Sequence, residues 1–408
     1  MFTESEIKKI KEYSALAEEK IKNVHINCFK GHTKPVLLIS KTYPGIWLEH
    51  VYDSVLLCEM YPEYLFVAKN TVELFIENQK PNGQLPCYVW DGNKINVPPE
   101  QLVGYGQVQE CLSFAELTLE ICKKIGDTEF TAKCYDALKK WENWFTKYRM
   151  TENTGLAEMF VGYDTGHDNS GRLNGMLYKG NRVQEGINAE TPPKKEDIAP
   201  IIAVDMNCNL YATRTALAEF ANILNLDAEE KKWIKEAENL KKKLFEVCFD
   251  EDDKFFYDVD KFGVKRKYLS STVFHLFLEK VLDLKKDKDL INDIIRLHIK
   301  NEKEFWTNYP FPSMAICDKS CENHTLQNCW GYYSQALIAL RCIRWMEYYG
   351  LKEEFKIILE KWVRGWTFEN NIMFGQELDP ITGKSTDCSR WYSSCMLLYL
   401  YAVKYLNI

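Results

Sequence analysis

Apolar residues return at i, i+3, i+4 and i+7 through most of this 408-residue chain, the spacing that gives a helix one buried stripe. The pattern predicts helices over 4–22, 51–60, 62–78, 107–125, 129–148, 201–224, 228–246, 269–282, 288–299, 331–349, 352–364 and 390–406. Strand signals are few and short, and FFYDVD at 255–260, just after the acidic turn FDEDDK, suits the edge of a small hairpin. Between the helices run four long connections, 79–106, 150–200, 303–330 and 366–389. Loops longer than about 12–15 residues inside a compact protein usually carry function. No Ser/Gly linker or break in composition divides the chain, so one domain over 1–408 is expected. About twelve paired helices with long loops meeting at one mouth predict an all-α fold, an (α/α)6 toroid. A superhelical solenoid would share the same periodicity.

Composition sharpens this in one direction. Hydrophobic residues make up 46% and charged residues 27%, ordinary for a globular protein, but aromatics reach 13% with 11 Trp, 23 Tyr and 21 Phe. That exceeds what a core requires and suits stacking on the apolar faces of sugar rings. A net charge of −7 and a pI near 5.7 argue against a nucleic-acid partner, which needs concentrated positive surface. The basic run KKWIKEAENLKKK (231–243) is interleaved with acids and apolar residues and fits a solvated helix face. No stretch approaches a membrane span. The start, MFTESEIKKIKEYSALAEEK, has acids among its bases and no apolar core, so no membrane partner and a cytoplasmic location are expected.

Of the 14 cysteines, Cys58, Cys111, Cys122, Cys342 and Cys395 lie within apolar helical patterns, where a free Cys acts as a small hydrophobe. Cys317, Cys321, His324 and Cys329 have ligand-like spacing but lack the tight knuckle of structural zinc sites, and no metal is expected. The acidic DEDDK (250–254) abuts the short hairpin and fits a solvated turn better than a diphosphate–Mg²⁺ motif.

The candidate chemistry sits in two loops. DTGHDNSGR (164–172) sets Asp168 among Gly166, Asn169, Ser170 and Gly171, with Asp164 four residues before it and Arg172 four after. QELDPITG (376–383) sets Glu377 before a turn fixed by Pro380 and Gly383. Two separately placed carboxyls can serve as proton donor and water activator, provided their surroundings pull their pKa values apart. Glycoside hydrolysis is the reaction that most often needs this pair. The ordinary alternative for the first loop is an Asx-turn with a calcium-like or purely structural role, and for the second an exposed turn acid. YPGIWLEHVYDSVLLCEMYP (43–62) puts Trp47, His50 and Asp53 at helical spacing, VDMNCNLYATR opens a helix with Asp205 and Asn207, and Trp330 and Trp391 stand at the mouths of apolar helices. Each of these also has an ordinary packing or capping explanation.

Taken in order, the segments resemble the α-glycosidase group that contains the trehalases of glycoside hydrolase family 37 and the family 63 glucosidases and mannosylglycerate or glucosylglycerate hydrolases. DTGHDNSGR is similar to that group's acid loop, AVDMNCNLY to its DLNA helix start, QKPNGQLP to its Gln–Gly–Pro turn, and QELDPITG followed by SRWYSS to its base segment. The likeness runs from about 43 to 400. It departs at His167, Gly171, Leu173 and Leu378, where the group has an aromatic or Met, Pro, Trp and Tyr.

The resemblance implies an (α/α)6 barrel and an inverting mechanism, with Asp168 as general acid, Glu377 as general base and Arg172 as a substrate-binding residue. Tyr43, Trp47, Asp53, Gln107, Asn207, Trp330 and Trp391 complete the expected substrate contacts. The expectation is an exo-acting α-glycoside hydrolase for a small α-glucoside or α-mannoside, a disaccharide or a glycosylated compatible solute, working without a cofactor in a pocket closed at its inner end. A sugar 2-epimerase-like isomerase on the same toroid would need histidine proton carriers and leaves both acid loops unexplained. A non-catalytic sugar-binding relative is the third class.

Overall fold

The computed structural model describes residues 2–29, 32–40, 43, 45–177, 188–193, 198–321, 330–370, 374–386 and 390–408. Among them are twelve α-helices: α1 (Glu4–Lys20), α2 (Val51–Met60), α3 (Leu65–Glu77), α4 (Phe114–Ile125), α5 (Thr128–Tyr148), α6 (Val204–Ile223), α7 (Asp227–Cys248), α8 (His275–Leu278), α9 (Lys288–Ile294), α10 (Ala336–Arg341), α11 (Lys352–Arg364) and α12 (Ser393–Tyr405).

Their packing makes two concentric layers. Among the even-numbered helices, α12 packs on α2, α2 on α4, α4 on α6, α6 on α8 and α10 on α12. The rings of Phe274 and Phe277, at α8, meet Trp345 just beyond α10 at 6.0 and 5.3 Å and close the circle. Helices α1, α3, α5, α7 and α11 lie outside: α1 against α12, α3 against α2 and α4, α5 against α4 and α6, α7 against α6, and α11 against α10 and α12. This is the (α/α)6 toroid expected from the periodicity.

Burial follows the layers. α7 buries only Trp233, Ala237, Leu240, Leu244 and Cys248, a single stripe at helical spacing. Inner α2 buries every residue from Val51 to Cys58, polar ones included, and α6 buries Asp205, Asn207, Asn209, Thr213 and Arg214 among its apolar residues. Polar groups inside must find partners there, and that need pre-sets the chemistry at the ring's centre. Sequence-local caps fix several starts. Thr3 and Glu6 form a reciprocal capping box on α1, Asp127 accepts from the amides of Glu129 and Phe130 at α5, and Ser113 accepts from Glu116 at α4.

Apart from α2, which spans the predicted 51–60, the inner helices begin later than periodicity predicts. The expected 107–125, 201–224, 331–349 and 390–406 start at 114, 204, 336 and 393, and 269–282 contracts to a 3-10 turn over Ser271–Phe274 followed by α8. The residues ahead of them have their backbones engaged elsewhere. β3 (Gly45–Trp47), β4 (Tyr88–Trp90) and β5 (Val103–Gly104) make a three-stranded antiparallel sheet ahead of α2 and α4. β6 (Glu158–Met159) pairs with β7 (Ile201–Ile202) ahead of α6, and β10 (Ser334–Gln335) pairs with β11 (Glu377–Leu378) ahead of α10. Two hairpins, β1 (Ile26–Phe29) with β2 (His32–Leu37) and β8 (Phe249–Asp250) with β9 (Phe255–Phe256), stand apart from these. The second is the hairpin expected at FFYDVD. Short pairings thus crown the N-terminal ends of the inner helices. Among the described residues no helix is long and apolar enough to cross a membrane.

Candidate active site

The loop carrying Asp168 is pinned at most of its positions. Asp164 is fully buried and accepts from the amides of Val108 (2.9 Å), Phe160 (2.8 Å) and Val161 (3.0 Å) and from Arg149 through two guanidinium nitrogens (2.7 and 3.1 Å). It organises backbone, as the Asx-turn explanation allows, and its oxygens are spent. Gly166 has φ 71°, and a Cβ there would lie 2.3 Å from Cys111 Sγ and 2.6 Å from Glu49 Oε2, so only glycine permits this approach. His167 stacks on Trp330 with ring centroids 4.4 Å apart and planes 25° from parallel. Ser170 Oγ reaches Met314 Sδ at 3.2 Å, and Gly171 rests against Ser320. Asp168 and Asn169 (φ 57°) form the tip: Asp168 is half-buried and Asn169 exposed, between buried His167 and Ser170.

Arg172 anchors the far end of the loop. Its Nη2 donates to Asp205 Oδ2 (2.7 Å) and to Thr165 Oγ1, and its Nη1 donates to Asp258 Oδ2 (2.8 Å) and Asp205 Oδ1 (3.3 Å). Burial alone would lower its pKa, but the two carboxylates outweigh burial and raise it. Asp258 in turn accepts from the amide of Val204, the first residue of α6, so this cluster ties the acid loop to an inner helix.

Glu377 is fully buried on β11, opposite Gln335. One of its carboxylate oxygens accepts from Gln335 Nε2 and the other from Thr386 Oγ1 (2.9 Å). The turn behind it is closed by Asp379, whose Oδ1 accepts from the amides of Ile381 and Thr382, and by Gly383, whose amide reaches Asp379 O at 2.9 Å. Residues 330–335 connect the two loops: Trp330 backs His167 at one end and Gln335 holds Glu377 at the other. Five residues span at most about 18 Å, which limits how far apart the two loops can lie.

An aromatic cavity opens beside the acid loop. It encloses about 690 Å³ and is lined by Trp47, Tyr88, Trp90, Tyr105 and Tyr163 together with Gln107 and other residues. Tyr88 and Trp90 stack on each other (4.3 Å, 15°), Trp47 leans on both, and Tyr43 packs on Trp47 at 5.3 Å. Gln107 Nε2 donates to Gln109 Oε1, and Gln109 lies 3.4 Å from Glu49. Glu49 also accepts from Cys111 Sγ (3.0 Å) and faces Arg341 at 3.7 Å, and burial pushes its pKa up. His50 bonds Tyr392 Oη at 2.6 Å, and burial holds its pKa down at about 3, so the ring is neutral.

The structure places Trp47 and Gln107 in the cavity wall with Tyr43 packed on Trp47, sets Trp330 against the Asp168 loop, and commits the Arg172 guanidinium to Asp205 and Asp258. It turns the other expected contacts elsewhere. Asp53 accepts from Ser393 (2.5 Å) and Ser394 (2.8 Å), joining α2 to α12. Asn207 spends its amide on Ala157 N and O and on Ala203 O. Trp391 packs on Phe374 at 5.5 Å and under Lys20. Sequence reading missed Glu49, Gln109, Tyr105, Tyr163 and the Tyr88/Trp90 pair. The period-two aromatics of CYVWDG, within a long connection already suspected of function, were the available signal for that pair.

Among the described residues one group has metal-ligand geometry: His167, Asp205 and His275, with ligand atoms within 4.8 Å of one another. Both oxygens of Asp205 already serve Arg172, so a cation there would have to break a buried ion pair. Of the cysteine cluster, Cys317 is exposed and Cys321 buried, while His324 and Cys329 lie outside the described residues.

The whole architecture is shared with solved (α/α)6 glycosidases. The family 63 mannosylglycerate hydrolase of Thermus thermophilus superposes with a TM-score of 0.70 over 95% of this chain and 99% of its own, at 16% identity. Neutral trehalase of Saccharomyces cerevisiae gives 0.63 over 92% and 74% at 14% identity, and a rhamnosidase of Klebsiella oxytoca 0.63 over 100% and 65% at 11%. The protein is a glycoside hydrolase. Residues 66–333 match the mannosylglycerate hydrolase MGH1-like glycoside hydrolase domain, and the chain belongs to that family. No curated protein sequence matches it.

Proposed function

We propose that this glycoside hydrolase is an inverting, exo-acting enzyme that cleaves a small α-glucoside or α-mannoside, with Asp168 as general acid and Glu377 as general base. Asp168 gives its proton to the glycosidic oxygen as the bond to the anomeric carbon breaks. Water attacks that carbon from the opposite face, and Glu377 takes the proton the water releases. The observation that carries the reading is the shared brace: residues 330–335 back the Asp168 loop through Trp330 and grip Glu377 through Gln335. The bonds from Gln335 and Thr386, one on each oxygen, fix the orientation of the Glu377 carboxyl, while Asp168 stands at the half-buried tip of its loop.

The relative from T. thermophilus has been crystallised with glucose and with Tris and D-glycerate. A disaccharide or a glycosylated small solute is the corresponding substrate size here. The isomerase alternative loses support from the histidines beside Asp168. His167 and His275 are fully desolvated next to Arg172 and Arg341, which drives both pKa values well below the range where a ring shuttles protons. The test is a reducing-sugar screen over trehalose, kojibiose, glucosylglycerate and mannosylglycerate, followed by proton NMR of the first anomer released. A β-anomer from an α-glycoside is expected; an α-anomer sinks the inverting assignment.

A further inference from the structure

The aromatic cavity lies on one particular side of the reacting bond. In an inverting hydrolysis the acid stands beside the leaving oxygen and the base stands across the anomeric carbon from it. Tyr163, in the cavity wall, accepts through its carbonyl oxygen from the amide of Gly166, two residues before Asp168. Gln107, also in the wall, bonds Gln109, which packs with Glu49 against Gly166. Among the described residues, none of 330–335 or of the Glu377 segment 374–386 lines the cavity. Its wall is therefore bonded to the loop that carries Asp168, and neither Asp168 nor Glu377 is itself among the described liners.

On that ground, and resting on the acid and base roles given above, we propose that the cavity is the leaving-group subsite and that it takes a ring, a second hexose or an aryl group, in preference to an acyclic three-carbon acid. Its chemistry decides the class. Five aromatic rings line it, and flat apolar surfaces recognise the C–H faces of pyranoses or the faces of aryl groups, whereas a small carboxylate would want several convergent cationic donors. The cations and anions among the described liners come as one of each, Lys80 and Glu100, and Lys80 is already bonded to Gln84 (3.1 Å) and set over the Tyr105 ring at 4.4 Å. At about 690 Å³ the space falls in the range of pockets for drug-sized ligands and is far larger than a glycerate needs.

The experiment holds the glycone fixed and varies the leaving group. The wild-type enzyme and the Trp47→Ala and Tyr88→Leu variants are assayed on an α-linked disaccharide, an aryl α-glycoside and the corresponding glycosylglycerate. Loss of one stacking surface should lower kcat/KM roughly tenfold on the two ring-bearing substrates, mainly through KM, and much less on the glycosylglycerate. A wild-type preference for the glycosylglycerate, or equal losses on all three, overturns the proposal. Should either variant fold poorly, tryptophan fluorescence of the Glu377→Gln protein titrated with intact disaccharide and with glycosylglycerate gives an independent answer: tighter, fluorescence-coupled binding of the disaccharide is required, and tighter binding of the glycosylglycerate refutes it. Failure of the underlying acid/base assignment shows separately, because Asp168→Asn would then leave turnover of all three substrates intact.

Discussion

Replacing Asp53 by Asn should make this protein more stable in mild alkali while changing little in acid. Asp53 is buried among α2 and α12, and burial pushes its carboxyl from 3.8 up to about 7 despite the opposing hydrogen bonds of Ser393 and Ser394; nearby Glu49 adds to the rise and Arg341 opposes it. The folded protein therefore keeps a proton that the unfolded chain releases near pH 3.8. Between those values the native state binds more protons than the unfolded state, so stability is greatest below about pH 4 and falls as pH rises towards 7, levelling off beyond. At ~1.4 kcal/mol per factor of ten, the charge costs about 4 kcal/mol at about pH 8 relative to acid. Asn keeps an acceptor for one serine hydroxyl and offers an NH2 to the other, but never ionises. The stability difference between Asn and wild type should grow by up to about 4 kcal/mol between about pH 4 and about pH 8 in urea unfolding followed by far-UV circular dichroism. A difference that stays constant with pH would show that Asp53 is not carried in its protonated form, and the burial argument would fail.

Gly166→Ala should abolish turnover and lower the melting temperature, because it adds ~1–2 kcal/mol of left-handed backbone strain to direct overlap with Cys111 and Glu49; near wild-type kcat would show that the loop is not packed as described. Asp168→Asn and Glu377→Gln should each lower kcat by roughly 10²–10⁴-fold with unchanged circular dichroism, and retention of turnover by either folded variant removes that residue's role. Activity should be indifferent to chelators and to added zinc, since Arg172 already occupies both oxygens of Asp205; stoichiometric metal lost together with activity would contradict this.

Periodicity sufficed to place the helices because an amphipathic stripe is a local property, and the alternation of fully buried and one-sided helices followed once the ring closed. What it misjudged were the starts of the inner helices. Residues 107–113, 201–203 and 334–335 carry apolar residues at acceptable spacing, but strand pairs and the side chain of Asp164 engage their backbone through contacts distant in sequence. The same non-local bonding hid the partners of the candidate site residues. Asn207 at a helix start and Asp53 on a helical face resemble ligand contacts in one dimension, whereas in the fold Ala157 and the serines of α12 consume them. Glu49 went the other way: unremarked in the sequence, it becomes a buried neighbour of the Asp168 loop when residues 109–111 and Arg341 pack around it.

Asp168 and Glu377 differ in how they are held, and the difference suits the acid and base roles proposed for them. Glu377 sits on a paired strand with a donor on each oxygen, an arrangement that fixes the orientation of its carboxyl. Asp168 hangs at the end of a loop in which Asp164, Gly166, His167, Ser170, Gly171 and Arg172 are each fastened to a different part of the ring. Fixing the loop at both sides of a two-residue tip restrains the carboxyl's position through its neighbours, while the tip itself stays half-exposed. In the proposed acid role, a carboxyl placed this way would lose little entropy on meeting the glycosidic oxygen. Placement of one carboxyl by the packing of the residues on either side of it is what the nine residues DTGHDNSGR encode.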